Sequence, residues 1–137
     1  MLKRCIFAVL IILSCLSSVA CADKTSVDGS ESTKYTIYVG LNDKDTYTQL
    51  IPNTEAEKKL GDIAIKYVDD YTLYIAVGVY RDEKGILTKE NSLVAEFNYT
   101  TEAQIEKIMD ELLIDFNQEA VLLEKDQVIS KLYKGQP

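Results

Sequence analysis

The 137-residue sequence contains no histidine, no tryptophan and no cysteine after position 21. Each shortage removes a class of chemistry. Without histidine there is no Ser-His-Asp or Cys-His device, and the commonest zinc sites lose their main ligand. Cys5, Cys15 and Cys21 all sit near the start, so the remaining chain offers no disulfide, no thiolate nucleophile and no cysteine-based metal site. No glycine-rich phosphate loop occurs, and there is no internal repeat. Basic residues are also scarce. The formal charge is −7, and such a surface repels phosphate backbones and anionic headgroups, which argues against nucleic acid as a partner. No cofactor motif is present.

What is there begins with a leader. Lys3 and Arg4 form a positive start, Ile6 to Leu13 is an unbroken apolar run, and small residues follow to Ala20. A stable membrane span needs about 20 apolar residues, so a run this short reads as an export signal over residues 1–21. Ser18-Val19-Ala20 before Cys21 resembles a bacterial lipobox, which makes Cys21 the expected lipidation site, although Ser18 stands where a leucine is usual. Cys15, after Ile12-Leu13-Ser14, is a second candidate with a shorter signal, and ordinary cleavage after Ala20 or Ala22 is a further alternative. Residues 22–34 are small and polar and read as a flexible tether. An exported domain held at the membrane only through a lipid is the resulting expectation.

The length leaves room for one domain, expected over residues 35–134. In Tyr35–Leu41, residues Tyr35, Ile37, Val39 and Leu41 alternate with Thr36, Tyr38 and Gly40, which predicts a strand. Thr54 and Glu57 have capping-box spacing, and Ala56, Leu60, Ile63, Ala64, Tyr67 and Val68 recur at helical intervals. A second strand places Leu73, Ile75, Val77 and Val79 on one face and Thr72, Tyr74, Ala76, Gly78 and Tyr80 on the other. Asp82 to Gly85 reads as a turn, and the third strand is centred on Leu93 to Tyr99. Thr101 and Gln104 form a second capping-box pattern. Ile105, Ile108, Met109, Leu112, Leu113 and Phe116 follow at helical offsets, the strongest periodic signal in the chain. Val121 to Leu123 starts a fourth strand, with Val128 to Tyr133 as a possible separate short one. The order β-α-β-β-α-β predicts a ferredoxin-like α+β fold: a four-stranded antiparallel sheet with two helices on one face.

In that fold the helices cover the face carrying Ile37, Val39, Leu73, Ile75 and Val77. Thr36, Tyr38, Tyr74, Ala76, Gly78 and Tyr80 are left on the other. Tyrosine combines a large apolar body with a polar tip, so Tyr38, Tyr74 and Tyr80, around small Ala76 and Gly78, form a candidate interface for a homodimer or an envelope protein. Carboxylates such as Glu83, Glu90, Glu96, Glu119 and Glu124 are numerous enough that solvation is their ordinary role. Asp43 and Asp45 flank Lys44 in a loop that lacks the glycine and closing glutamate of a calcium loop.

Two segments point to a family. Gly78 to Phe97, GVYRDEKGILTKENSLVAEF, resembles the G-x-W-R, G and E-x-S-x-V stretch of the bacterial exported family called domain of unknown function 3574. Phe116 to Leu122, FNQEAVL, is similar to that family's F-x-Q-E-S-V-L segment. Tyr80 stands where the family has tryptophan, and Ala120 where it has serine. The resemblance implies export and an α+β fold, and it draws attention to Gly78, Arg81, Glu90, Ser92, Phe116, Gln118 and Glu119. Arg81, Glu90, Gln118 and Glu119 are the candidate binding residues. An Arg81–Glu90 pair across adjacent strands would lock the hairpin register; the same charges near a cleft would fix a polar ligand. Two functions remain open. One is a non-catalytic binding or interaction module. The other is a small enzyme using carboxylates and Arg81 on a polar small molecule. A concave pocket gathering Arg81, Glu90 and Glu119 separates the enzyme from the module.

Overall fold

A computed structural model describes residues 29–81 and 85–135. The leader, Cys21, the first part of the expected tether and turn residues 82–84 lie outside the described residues. The chain runs β1 (Ser30–Gly40), α1 (Asn53–Ala64), β2 (Thr72–Arg81), β3 (Leu87–Phe97), α2 (Glu102–Asp115) and β4 (Leu122–Ser130). All pairings are antiparallel, in the order β2-β3-β1-β4. This is the α+β, ferredoxin-like arrangement that the element order implies.

The helices pack on one face because their apolar stripes match the alternation of the strands. Ala56, Leu60, Ile63 and Ala64 of α1, with Ile105, Ile108 and Leu112 of α2, meet Ile37, Val39, Leu93, Ala95 and Phe97 in one buried core. α2 starts as its sequence implies: the Thr101 hydroxyl accepts from the Gln104 N–H, and the Gln104 side chain accepts from the Thr101 N–H. α1 does not. Its N-cap falls two residues before the expected Thr54, at Pro52, with no side-chain cap. Proline's fixed φ is already suited to a helix start, so Thr54 falls inside the first turn and the expected Thr54–Glu57 box does not form.

The sheet is sheared. β1 pairs with β4 from Ser30 to Tyr38 but with β3 only from Tyr35 to Gly40. One two-stranded arm, Ser30–Lys34 against Asp126–Ser130, therefore overhangs at one end. At the other end the β2–β3 hairpin continues past the end of β1, pairing Val77 with Asn91 and Arg81 with Leu87. These arms correct three expectations. Ser30 to Lys34 belong to β1 rather than to a tether. β3 starts at Leu87, well before Leu93. β4 continues unbroken to Ser130 rather than yielding a separate strand at Val128. The helices also stop short of the hairpin arm. Val77 and Val79, expected on a covered face, are 53% and 58% exposed.

The face opposite the helices is open but not bare at its centre. Tyr38 and Tyr74 lie in register on either side of Val94, and Val94 is buried although no helix reaches it. Thr36, expected to face water, is also buried. The Tyr38 hydroxyl donates to Glu124 Oε2 at 2.9 Å, and that bond is the main reason the Tyr38 phenol is held above its ordinary pKa. Tyr74, Tyr80 and Leu122 stay substantially exposed.

Candidate functional site

Where β1 ends and the hairpin arm runs on, a notch opens beside β3. Two loops form its other walls: residues 41–52 after β1 and residues 116–121 before β4. The resulting cavity is about 550 Å³. It is lined by Asn42, Asp43, Lys44, Tyr47, Tyr80, Arg81, Ile86, Thr88, Glu90, Gln118, Glu119 and Ala120. Arg81, Glu90, Gln118 and Glu119, distant in sequence, thus meet in one concave site together with Tyr80. The remaining interface candidates, Tyr38, Tyr74, Ala76 and Gly78, belong to the open sheet face and do not line the cavity.

The four polar candidates do different things there. Glu90 sits opposite Gly78 in the β2–β3 ladder, and its carboxylate lies over Gly40: a Cβ on Gly40 would fall 2.7–2.9 Å from it. Gly40 thus makes room for this side chain, whereas a Cβ on Gly78 would meet Glu90 Cγ at an ordinary contact distance of 3.6 Å. Partial burial raises the Glu90 pKa, and the Asn42 N–H, 3.4 Å from Oε2, opposes the shift. Arg81 Nη1 donates to the Gly85 carbonyl at 3.1 Å across the hairpin end. The expected Arg81–Glu90 lock is not among the described ion pairs. The register explains this: Arg81 pairs with Leu87 and Glu90 with Gly78, so the two side chains leave opposite faces of the arm. Gln118 is a brace. Its Nε2 donates to the carbonyls of Asn42 at 2.9 Å and Phe116 at 3.1 Å. Glu119 is exposed at the rim.

The loop walls are tied to each other. Asn117 Nδ2 donates to Asp43 Oδ2 and Asp45 Oδ2, both at 2.7 Å, and the Lys44 N–H reaches the Asn117 carbonyl at 3.2 Å. Asp43 Oδ1 accepts from the N–H groups of Asp45 and Thr46 and from the Thr46 hydroxyl. The Asn117 bond, followed by the Thr46 N–H, holds the Asp43 carboxyl below its usual pKa. Asn91, on the covered side of β3, donates to Gln49 Oε1 at 2.8 Å and fixes the root of the arm to the same loop. Sequence reasoning placed Asp43 in a loop but did not see this role, nor Asn42, Tyr47 or Thr88 as lining. The only available signal was the Asp-x-x-Thr spacing at Asp43 and Thr46, which suits an Asx turn.

Among the described residues no group of three acidic, histidine or cysteine side chains is placed to hold a metal ion. The site's own chemistry is a half-buried carboxylate on the floor, an arginine and a glutamate at the rim, and tyrosines in the wall. That set suits a small zwitterion with an apolar part. Among the described residues no helix is long and apolar enough to cross a membrane.

No family model and no curated protein matches the chain. Solved structures do. A phage SAM lyase in complex with S-methyl-5'-thioadenosine is similar at 24% identity and a TM-score of 0.57, over 80% of this chain and 92% of that one. A phage SAM lyase in its apo state gives 0.53, also at 24% identity, over 80% and 98%. CutA from Synechococcus elongatus gives 0.50 at 13% identity, over 77% and 84%. At these identities the similarity establishes the shared α+β fold.

Proposed function

We propose that the cavity is the working site of a small enzyme, and that it binds a sulfonium zwitterion of the S-adenosylmethionine type and breaks a carbon–sulfur bond. The observation that carries this reading is the Glu90 carboxylate, half-buried on the cavity floor between Gly40 and Gly78. A desolvated carboxylate attracts a cation more strongly than one in water does. Arg81 at the rim supplies the complementary charge for a substrate carboxylate. The chemistry asks little more of the protein. A sulfonium is already a leaving group: when the bond breaks, its electron pair goes to sulfur and a neutral thioether departs. The carbon fragment then gives up a neighbouring proton to a base or is captured by its own carboxylate. Neither route needs histidine, cysteine or a metal. The solved lyase whose name includes S-methyl-5'-thioadenosine, a thioether of this kind, supports the choice of first substrate.

The test is incubation of the purified protein with S-adenosylmethionine, following release of S-methyl-5'-thioadenosine by chromatography. The wild type is expected to release it. Glu90→Gln should lose roughly a hundredfold or more in rate, yet melt no lower at pH 7. The sign follows from the raised pKa. Folded Glu90 holds its proton more tightly than the unfolded 4.5, so its contribution to stability is full below that value and declines as pH rises through the raised folded value. Glutamine is spared this loss, and its advantage should vanish near pH 4. Absence of both product and thermal shift in the wild type would discard the reading.

A second reading, a binding module, is favoured by one observation: the exposed Tyr74 and Leu122 extend the Val94–Tyr38 centre of the open face into an apolar row. Under it a second copy or an envelope protein docks on this face, with the domain exported through its leader and held by a lipid on Cys21. Sedimentation of the wild type and Tyr74→Glu tests the homodimer, since a monomer in both at high concentration removes it. Fatty-acid labelling tests the anchor.

A further inference from the structure

We propose that Tyr47 is a ring-stacking wall that selects ligands carrying a planar heteroaromatic group, such as a nucleobase. The inference rests on the cavity being the ligand site and adds to it the half of the ligand that Glu90 and Arg81 do not recognise.

Tyr47 lines the cavity with Tyr80 and Ile86, and its side chain is largely exposed. Its backbone is in the left-handed region, with φ 56°. That region is costly for any side chain with a Cβ and is the ordinary place of glycine or asparagine. An exposed ring gains little from burial, so packing does not offset the cost. The strain is held by the loop instead. The Tyr47 N–H donates to the Asp43 carbonyl at 2.8 Å and the Asp43 N–H to the Thr48 carbonyl at 2.9 Å. The Asp43 carboxylate gathers the turn from within, and Asn117, itself at φ 48°, clamps it from the opposite loop. The turn explains the positive φ but not the residue. Glycine would satisfy the same hydrogen bonds without strain, whereas tyrosine at this position adds an exposed aromatic ring to the cavity lining. Stacking on such a ring is sequence-tolerant towards bases and contributes substantially to holding one. A ligand with a planar ring joined to a charged sulfonium or amino-acid group would meet Tyr47 at one end and Glu90 at the other.

The experiment compares equilibrium binding of two probes: S-methyl-5'-thioadenosine, which carries the ring, and S-methylmethionine, which carries the sulfonium zwitterion without it. Wild type, Tyr47→Phe, Tyr47→Gly and Tyr47→Asn are measured by calorimetry alongside their melting temperatures. Tyr47→Gly is expected to weaken S-methyl-5'-thioadenosine about tenfold or more, to leave S-methylmethionine unchanged and to melt no lower than wild type. Tyr47→Asn, which also tolerates the left-handed backbone, should behave alike, and Tyr47→Phe should keep affinity. Wild-type affinity for the ring-bearing probe in both Tyr47→Gly and Tyr47→Asn overturns the stacking role and leaves the site standing. Binding of S-methylmethionine alone by the wild type does the same. If the wild type binds neither probe, the site itself falls, and the stacking role with it.

Discussion

The middle of the sheet and its two overhanging arms are built from the same strands but obey different rules. In the middle, β1 has a neighbour on both sides and two helices above it, and Ile37, Leu93 and Phe97 are wholly buried. In the arms each strand has one partner, and neither helix reaches the hairpin end. Val77, Val79 and Leu87 are more than half exposed there, and Ser30 to Lys34 carry no large apolar side chain. The difference shows where stability and function separate. The middle supplies the core, while the notch beside the hairpin arm supplies the cavity. Ligand sites are commonly placed at this less constrained margin of a fold.

Substitutions that cross the boundary sharpen the contrast most. Leu93→Ala, in the middle of β3, should cost about 2–5 kcal/mol by urea denaturation. Val79→Ala, on the arm, should cost less than about 1 kcal/mol. Similar losses at the two positions would erase the distinction. A smaller effect tests the covered region from within, at its two helix starts. Thr101→Ala removes a hydroxyl that accepts from the Gln104 N–H and should cost about 1 kcal/mol. Thr54→Ala removes no cap and should stay within about 0.5 kcal/mol. A cost at Thr54 as large as at Thr101 would mean that the start of α1 is held in some other way.

What could be read beforehand follows the same boundary. Alternation in Tyr35–Leu41 and the helical spacing of Ile105 to Phe116 are records of burial, so they revealed the fold class, the helices and the inner part of each strand. Thr88, Lys89, Glu90 and Asn91 are all polar and show no apolar alternation, so the sequence places the start of β3 too late. Ser30 to Lys34 looked like a tether for the same reason. At the site, Arg81, Glu90, Gln118 and Glu119 were legible as a set and do share a cavity. Their individual roles were not. The hairpin register separates Arg81 from Glu90, and the Gln118 amide is engaged by the carbonyls of Asn42 and Phe116. Tyr47 left no trace at all, because a tyrosine with positive φ is the residue type that local preference argues against.

The sheet also joins near and distant parts of the chain. The β2–β3 hairpin closes over a short turn, whereas Ser30 and Ser130, adjacent in the β1–β4 ladder, stand 100 residues apart in the chain. Joining such distant segments carries a large loop-closure cost and slows folding. Until β4 is in place, the side of β1 away from β3 has no strand beside it. A nascent chain halted before Leu122 contains the hairpin and both helices in sequence but lacks the strand that completes the sheet. The four-stranded sheet is thereby complete only when its C-terminal strand is in place.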